Sequence, residues 1–297
     1  MSEVRGGYLE RLAARSRAVG SCLCLGLDPD PAALPPGFSR DLAGIEAFSA
    51  LLLDAALPYA AAVKPNLAFF EAFGAEGIAA LERLRARIPA DVPLVADAKR
   101  GDIGSTAAKQ AVALFDVLGA DAVTANPYLG SEAIAPLLER ADRFAYLLCR
   151  TSNPGAGELQ DLVVGPDRGA PAEPLYARVA RLATGWGPGA TVGLVVGATA
   201  PAELATIRAV APGLAFLVPG IGAQGGDLAA VLASGPATGS PAGGRAGGGL
   251  LVNVSRGIAG AATTGPGAWA GTGAGSTVEE RLAGAAREWA ARTPVVP

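Results

Sequence analysis

The segment Val95-Ala96-Asp97-Ala98-Lys99-Arg100-Gly101-Asp102 sets a lysine between two carboxylates. Extended backbone sends successive side chains to opposite faces, so Asp97 and Lys99 project from the same side of a strand. Ala96 and Ala98 suit the other side, pressed against helices. Two charges inside a fold are costly unless they pair or act on a ligand. Lys64 ends a second such run, Ala60-Ala61-Ala62-Val63, and precedes Pro65-Asn66. The chain keeps three lysines, Lys64, Lys99 and Lys109, leaving 21 arginines among its 24 basic residues. Near neutral pH a lysine can surrender a proton and an arginine cannot. Lysines alternating with carboxylates suit proton transfer and the stabilisation of developing charge. A buried Asp97–Lys99 ion pair is the competing reading of the same spacing.

A second set of residues would hold an anion. Pro219-Gly220-Ile221-Gly222-Ala223-Gln224-Gly225-Gly226-Asp227 is a glycine-rich turn, and Asn253-Val254-Ser255-Arg256-Gly257-Ile258 places an arginine after a later apolar run. Glycines let backbone N–H groups approach an anion, and an arginine can grip it with two donors. Loop geometry alone also accounts for such glycines.

These residues need a frame. Eight apolar runs predict strands at Ser21–Asp28, Ala60–Asn66, Pro93–Lys99, Ala122–Asn126, Phe144–Thr151, Thr191–Gly197, Ala215–Pro219 and Gly249–Ser255. Helical stretches lie between them, among them Gly44–Leu57, Ala75–Ile88, Ser105–Leu118 and Pro174–Leu182, and another near Ser2–Ala18 precedes the first strand. Strands apolar on both faces and alternating with helices imply a parallel sheet covered by helices. Eight such units favour a closed (β/α)₈ barrel, an α/β single domain over residues 1–297. Asp28, Lys64, Asn66, Asp97, Lys99, Asn126, Ser152 and Asn253 all fall at or just past strand carboxyl ends, the rim that carries barrel active sites. Loops after the seventh and eighth strands are a usual phosphate site. Asp102 then sits in the turn, and Ser105 can cap the next helix. The glycine-rich stretches 234–249 and 265–276 hold few large apolar residues and are expected to be mobile loops.

Composition narrows the chemistry. No histidine is present, which removes serine and cysteine triads, the commonest general base and nearly all zinc sites. A net charge of −3, no basic cluster and 5% aromatic residues offer nothing to nucleic acid. No apolar run of membrane-spanning length is expected, and the charged N-terminus lacks a signal-peptide core. Cys22, Cys24 and Cys149 read as buried thiols in a reducing, cytoplasmic compartment.

The same residues resemble the orotidine 5′-phosphate decarboxylase family, in its longer branch. Asp97-Ala98-Lys99-Arg100-Gly101-Asp102-Ile103-Gly104-Ser105-Thr106 resembles its D-x-K-x-x-D-I-x-x-T signature. Leu25-Gly26-Leu27-Asp28-Pro29, Lys64-Pro65-Asn66, Asn126-Pro127-Tyr128-Leu129-Gly130, Thr151-Ser152-Asn153-Pro154-Gly155 and the two anion-gripping elements also match. The resemblance implies decarboxylation of orotidine 5′-monophosphate to uridine 5′-monophosphate in de novo pyrimidine biosynthesis, without metal or cofactor. It makes Lys99 the acid that protonates C6, Asp97 the neighbour of the substrate carboxylate, and Lys64 the group that orients Asp97 and the ribose. Asp28 would bind ribose hydroxyls, Ser152 the base, and Gln224 and Arg256 the phosphate. Asp102, Ile103 and Thr106 would reach into the partner's site across a homodimer. Two alternatives stay open: a sugar-phosphate decarboxylase or aldolase on the same barrel, and a non-catalytic nucleotide-binding barrel. The former holds Mg²⁺ with an acidic residue on the second strand, where this chain has Lys64.

Overall fold

All eight apolar runs become parallel strands, each shorter than its run, with β3 alone ending one residue beyond it: β1 (Leu23–Leu27), β2 (Ala62–Pro65), β3 (Val95–Arg100), β4 (Ala122–Ala125), β5 (Phe144–Arg150), β6 (Val192–Val196), β7 (Ala215–Val218) and β8 (Leu251–Val254). The computed structural model describes residues 6–166, 169, 171–222, 224–263 and 276–296. The sheet runs β2-β1-β8-β7-β6-β5-β4-β3. Bridges Val63↔Leu94 and Asn66↔Asp97 join β2 to β3, and Leu67 N donates to Asp97 O (3.2 Å), so the sheet closes on itself.

The period of two along each strand sorts side chains into two cores. Leu25, Val63, Ala96, Val123, Leu147, Leu194, Phe216 and Val252 face the surrounding helices. Cys24, Ala62, Val95, Ala122, Tyr146, Val195, Leu217 and Leu251 fill the barrel. All three cysteines are free and buried. Besides short turns at Ala68–Glu71, Gly157–Gln160 and Arg256–Ala259, the described helices are α1 (Tyr8–Val19), α2 (Leu42–Ala56), α3 (Gly74–Ala86), α4 (Gly104–Ala111), α5 (Ala135–Leu138), α6 (Leu175–Ala183), α7 (Pro201–Val210), α8 (Leu228–Ser234) and α9 (Val278–Arg292). Residues Tyr8, Leu9 and Leu12 of α1 join the interior cluster at the end opposite the polar rim, and Tyr8 stacks on Phe144 with ring centroids 4.7 Å apart. Arg11 fixes that helix through Asp121 (2.6 Å), a fully buried carboxylate at the start of β4.

Three expectations need correction. Residues 234–249 pack as part of the barrel floor: Ala242 is fully buried and Ala237 nearly so. Backbone hydrogen bonds hold the segment where large side chains do not, including Ala237 N to Gly248 O (3.0 Å) and Ala242 N to Gly213 O (3.1 Å). Secondly, Leu42–Tyr59 is long and apolar enough by composition to cross a membrane, with 18 residues of mean hydropathy 1.3. It is α2 and its following turn; Ile45, Phe48, Leu52 and Leu53 lie in the core, while Glu46 and Asp54 pair with Arg83 and Arg87. Thirdly, Ser105 does not cap α4. That helix starts at Gly104 without a side-chain cap and widens into a π turn over Val112–Val117. The stretch 264–275 lies outside the described residues.

Candidate active site

Strand β3 does not run regularly to its end. Ala96 pairs with Val123 and Arg100 with Ala125, so four steps on β3 oppose two on β4. The excess backbone turns through Lys99, whose φ is +49°. A side-chain-bearing residue in that region costs about 1–3 kcal/mol and persists only where its surroundings enforce it. Asp97 and Lys99 therefore meet through a bulge as well as through strand alternation.

The carboxylate of Asp97 stands between two ammonium groups. Lys64 Nζ donates to Oδ2 (2.8 Å) and Lys99 Nζ to Oδ1 (2.6 Å). Thr124 Oγ1 also donates to Oδ1 (2.8 Å). Burial alone would raise the Asp97 carboxyl, but Lys64 and Lys99 outweigh it and hold the group far below the usual carboxylate range. Burial likewise works against the charge on Lys64, and the nearby Asp97 and Asp28 reverse the sign, keeping its ammonium well above the ordinary lysine value. Beneath this array, Cys24 is pushed up to about 12 by burial and is an inert thiol.

Two cavities meet at this point. The smaller, about 150 Å³, is lined by Asp28, Lys64, Asn66, Asp97, Gln224, Asn253 and Arg256. The larger, about 450 Å³, is lined by Lys64, Asp97, Lys99, Thr124, Ser152, Asn153 and Gln160, with Leu148, Val195 and Leu217 as an apolar wall. Lys64, Asp97 and Pro219 line both. The small lobe is rich in donors suited to an anion, and Arg256 is exposed at its edge. It also contains two buried acceptor atoms without a partner, Asp28 Oδ1 and Asn253 Oδ1, which suit hydroxyl donors on a ligand. Gly220 lines the small lobe next to Pro219. Its φ is +99°, and a Cβ there would lie 2.9 Å from Gln224 Oε1 and 3.0 Å from Ser152 Cβ.

Seven of the ten expected site residues thus line one connected space: Asp28, Lys64, Asp97, Lys99, Ser152, Gln224 and Arg256. Asp102, Ile103 and Thr106 line neither lobe. Asp102 Oδ1 instead accepts from Ile103 N (2.7 Å), and Ile103 is 64% exposed. Thr124 and Gln160 were not foreseen. Thr124 lies within Ala122-Val123-Thr124-Ala125, where a threonine is an ordinary strand former; its inward register beside Asp97 is the one signal available. Gln160 sits beyond any strand end. Its Oε1 accepts from Thr151 N (2.8 Å) and its Nε2 donates to Thr151 Oγ1 (2.9 Å), bracing the turn that presents Ser152.

Residues 21–268 match the model of the orotidine 5′-phosphate decarboxylase / HUMPS family. The orotidine 5′-phosphate decarboxylase of Roseiflexus castenholzii is 50% identical over 250 residues, 84% of this chain and 87% of that one. That of Herpetosiphon aurantiacus is 46% identical over 252 residues, 84% and 88% of the two chains. Among solved structures, the OMP decarboxylase of Leishmania donovani superposes with a TM-score of 0.77 at 40% identity, covering 96% of both chains. The UMP synthase of the same organism gives 0.78 at 41% identity, and there 96% of this chain matches 55% of that one.

Proposed function

This chain belongs to the orotidine 5′-phosphate decarboxylase family and converts orotidine 5′-monophosphate to uridine 5′-monophosphate in pyrimidine biosynthesis; we propose that Lys64, Asp97 and Lys99 carry the reaction with neither metal nor cofactor. The observation behind this reading is the Asp97 carboxylate held between two ammonium groups where the two lobes join. The phosphate occupies the small lobe against Gln224 and Arg256, the ribose lies between Asp28 and Lys64, and the pyrimidine enters the larger lobe beside Ser152. The bond from C6 to the carboxylate breaks and its electron pair stays on C6. Lys99 supplies the proton that C6 takes up, and its amine is reprotonated from water. Decarboxylation without a cofactor leaves the carbanion no electron sink, so an ammonium aimed at the developing charge is the stabilising device in this reading. Asp97, held ionised by its neighbours, faces the departing carboxylate, and binding energy from the remote phosphate holds the reacting carbon in place.

The competing sugar-phosphate and non-catalytic readings have against them the high identity to decarboxylases over most of the chain. A divalent cation beside Asp97 would also face the Lys64 ammonium, 2.8 Å from the carboxylate.

The proposed assembly is a homodimer with shared sites. The loop after β3 is tied to that after β4 by Asp102 N to Ala133 O (3.2 Å). Together they expose Ile103 (64%), Tyr128 (80%) and Leu129 (55%), a patch that a second copy would cover. An apolar groove of about 650 Å³ adjoins it, lined by Tyr128, Leu159, Tyr176 and Leu182. Asp102, Ile103 and Thr106 would then complete the partner's site. We read the whole chain as one domain, and the three free thiols fit a cytoplasmic enzyme.

The test is to follow the ultraviolet absorbance of orotidine 5′-monophosphate with enzyme treated with EDTA. Turnover is expected to continue unchanged. Activity lost on chelation and restored by Mg²⁺ would overturn the metal-free reading.

A further inference from the structure

We propose that Thr124 is a positioning residue whose single hydroxyl sets both Asp97 and Lys99 in the geometry that the reaction requires. The Oγ1 of Thr124 accepts from Ala98 N (3.0 Å) and from Lys99 N (2.9 Å). Neither N–H group can accept, so the hydroxyl proton is directed at Asp97 Oδ1, 2.8 Å away. One buried oxygen, on a residue only 2% exposed, is therefore bonded to the carboxylate and to the backbone of the lysine beside it.

The bulge explains why a hydroxyl is needed at this register. Between the pairs Ala96↔Val123 and Arg100↔Ala125 the two strands are out of step, and the N–H groups of Ala98 and Lys99 turn to the Thr124 side chain. Thr124 stands opposite that gap and satisfies both. Its bond to Lys99 N also holds that residue at φ +49°, a backbone conformation that a side-chain-bearing residue leaves unless it is held. Its bond to Asp97 shares Oδ1 with the ammonium of Lys99, 2.6 Å away on its other approach. The rotamer of Asp97 and the origin of the Lys99 side chain are thus fixed relative to one another by a group that itself transfers no proton.

This inference rests on the roles proposed for Asp97 and Lys99, so Lys99→Ala is measured beside the Thr124 variants. Thr124→Val keeps the shape and removes the hydroxyl, taking the shared acceptor from the N–H groups of Ala98 and Lys99 and releasing Oδ1. The single-turnover rate of decarboxylation is expected to fall about a hundredfold, the scale of an ångström-sized misplacement. The dissociation constant for uridine 5′-monophosphate should stay close to wild type, because the phosphate and ribose contacts lie elsewhere. Thr124→Ser restores the hydroxyl and should restore the rate. Should Thr124→Val fail to fold, Thr124→Cys, of similar size with a feeble donor, is expected to show the same loss of rate with retained product binding. A Thr124→Val enzyme with wild-type turnover, beside an inactive Lys99→Ala, overturns the positioning role. So does a Thr124→Ser enzyme as impaired as Thr124→Val, since a hydroxyl at this position would then not be enough to set the geometry. An active Lys99→Ala enzyme overturns the underlying reading instead.

Discussion

Lys64 reaches Asp97 from a side chain that is 5% exposed, and Lys99 reaches it from one that is 49% exposed. The first ammonium is closed off from solvent, while the second meets the same carboxylate from the open side, where a substrate would approach. Replacing Lys99 with arginine keeps the charge but removes a usable proton. Lys99→Arg should fold and lose at least about a thousandfold in kcat/KM, because proton supply and placement are altered together. Retention of a substantial part of the wild-type rate would reduce Lys99 to an ion-pair partner. The array also gives stability a pH signature. The Asp97 carboxyl lies below its unfolded value, so its contribution is present above about pH 4 and is lost as pH falls through the folded value. The Lys64 ammonium lies above its unfolded value, so its contribution is present below about pH 10 and is lost only at still higher pH. Urea midpoints measured across pH should therefore fall more steeply below about pH 4 in wild type than in Asp97→Asn. Parallel curves would show that the pair does not couple to folding. Lys64, Asp97 and Lys99 were legible in the sequence because charge at the end of an apolar strand has few structural explanations. Thr124 was not, because a threonine in a strand has many.

At the scale of elements, the excess of arginine over lysine has a structural use. Arg208 of α7 donates to Ala211 O (2.9 Å), Leu214 O (2.8 Å), Ser234 O (3.3 Å) and Gly235 O, closing the carbonyl ends of α7 and α8 together. Its guanidinium lies 3.6 Å above the Phe216 ring of β7. Arg281 does similar work for α9, donating to Ala261 O (3.1 Å) and Ala262 O (2.7 Å). A lysine has the wrong shape for either task and too few donors for the first. Arg208→Met should cost about 3 kcal/mol, because several buried carbonyls lose their partner at once. Thermal unfolding should then begin several degrees lower while kcat/KM at low temperature is unchanged, since Arg208 lines neither lobe. An unchanged melting curve would count against the cap, and a changed kcat/KM against its separation from the site. The strands were readable because burial on both faces leaves continuous apolar runs. The floor segment 234–249 was misread because its packing comes from backbone approach: a Cβ on Gly213 would stand 1.8 Å from Ser240 O. Helix α9, started by the capping box of Thr277 and Glu280, was not among the expected elements, because it follows the last strand and lies outside the eight-unit pattern.

For the whole molecule, the position of Asp102 is decisive. It follows Lys99 by three residues, yet the turn carries it away from both lobes and beside the exposed Ile103. In the proposed dimer its place of action depends on a second copy, which no pattern within one chain reveals. In a two-fold dimer each site would hold Lys64, Asp97 and Lys99 from one chain and Asp102 from the other. Homodimers of Lys99→Ala and of Asp102→Ala should each be nearly inactive. Mixed under conditions that exchange subunits, they should form heterodimers in which one site lacks both residues and the other lacks neither. Random exchange makes half the dimers mixed, each with one intact site, so activity should rise toward about a quarter of wild type. A titration of one variant into the other, with mass spectrometry of intact dimers to count the mixed species, makes the result quantitative. Recovery proportional to the heterodimer fraction is what a shared site requires. If confirmed heterodimers remain inactive, Asp102 serves its own chain, and the loop after β3 must fold back over its own barrel mouth when substrate binds.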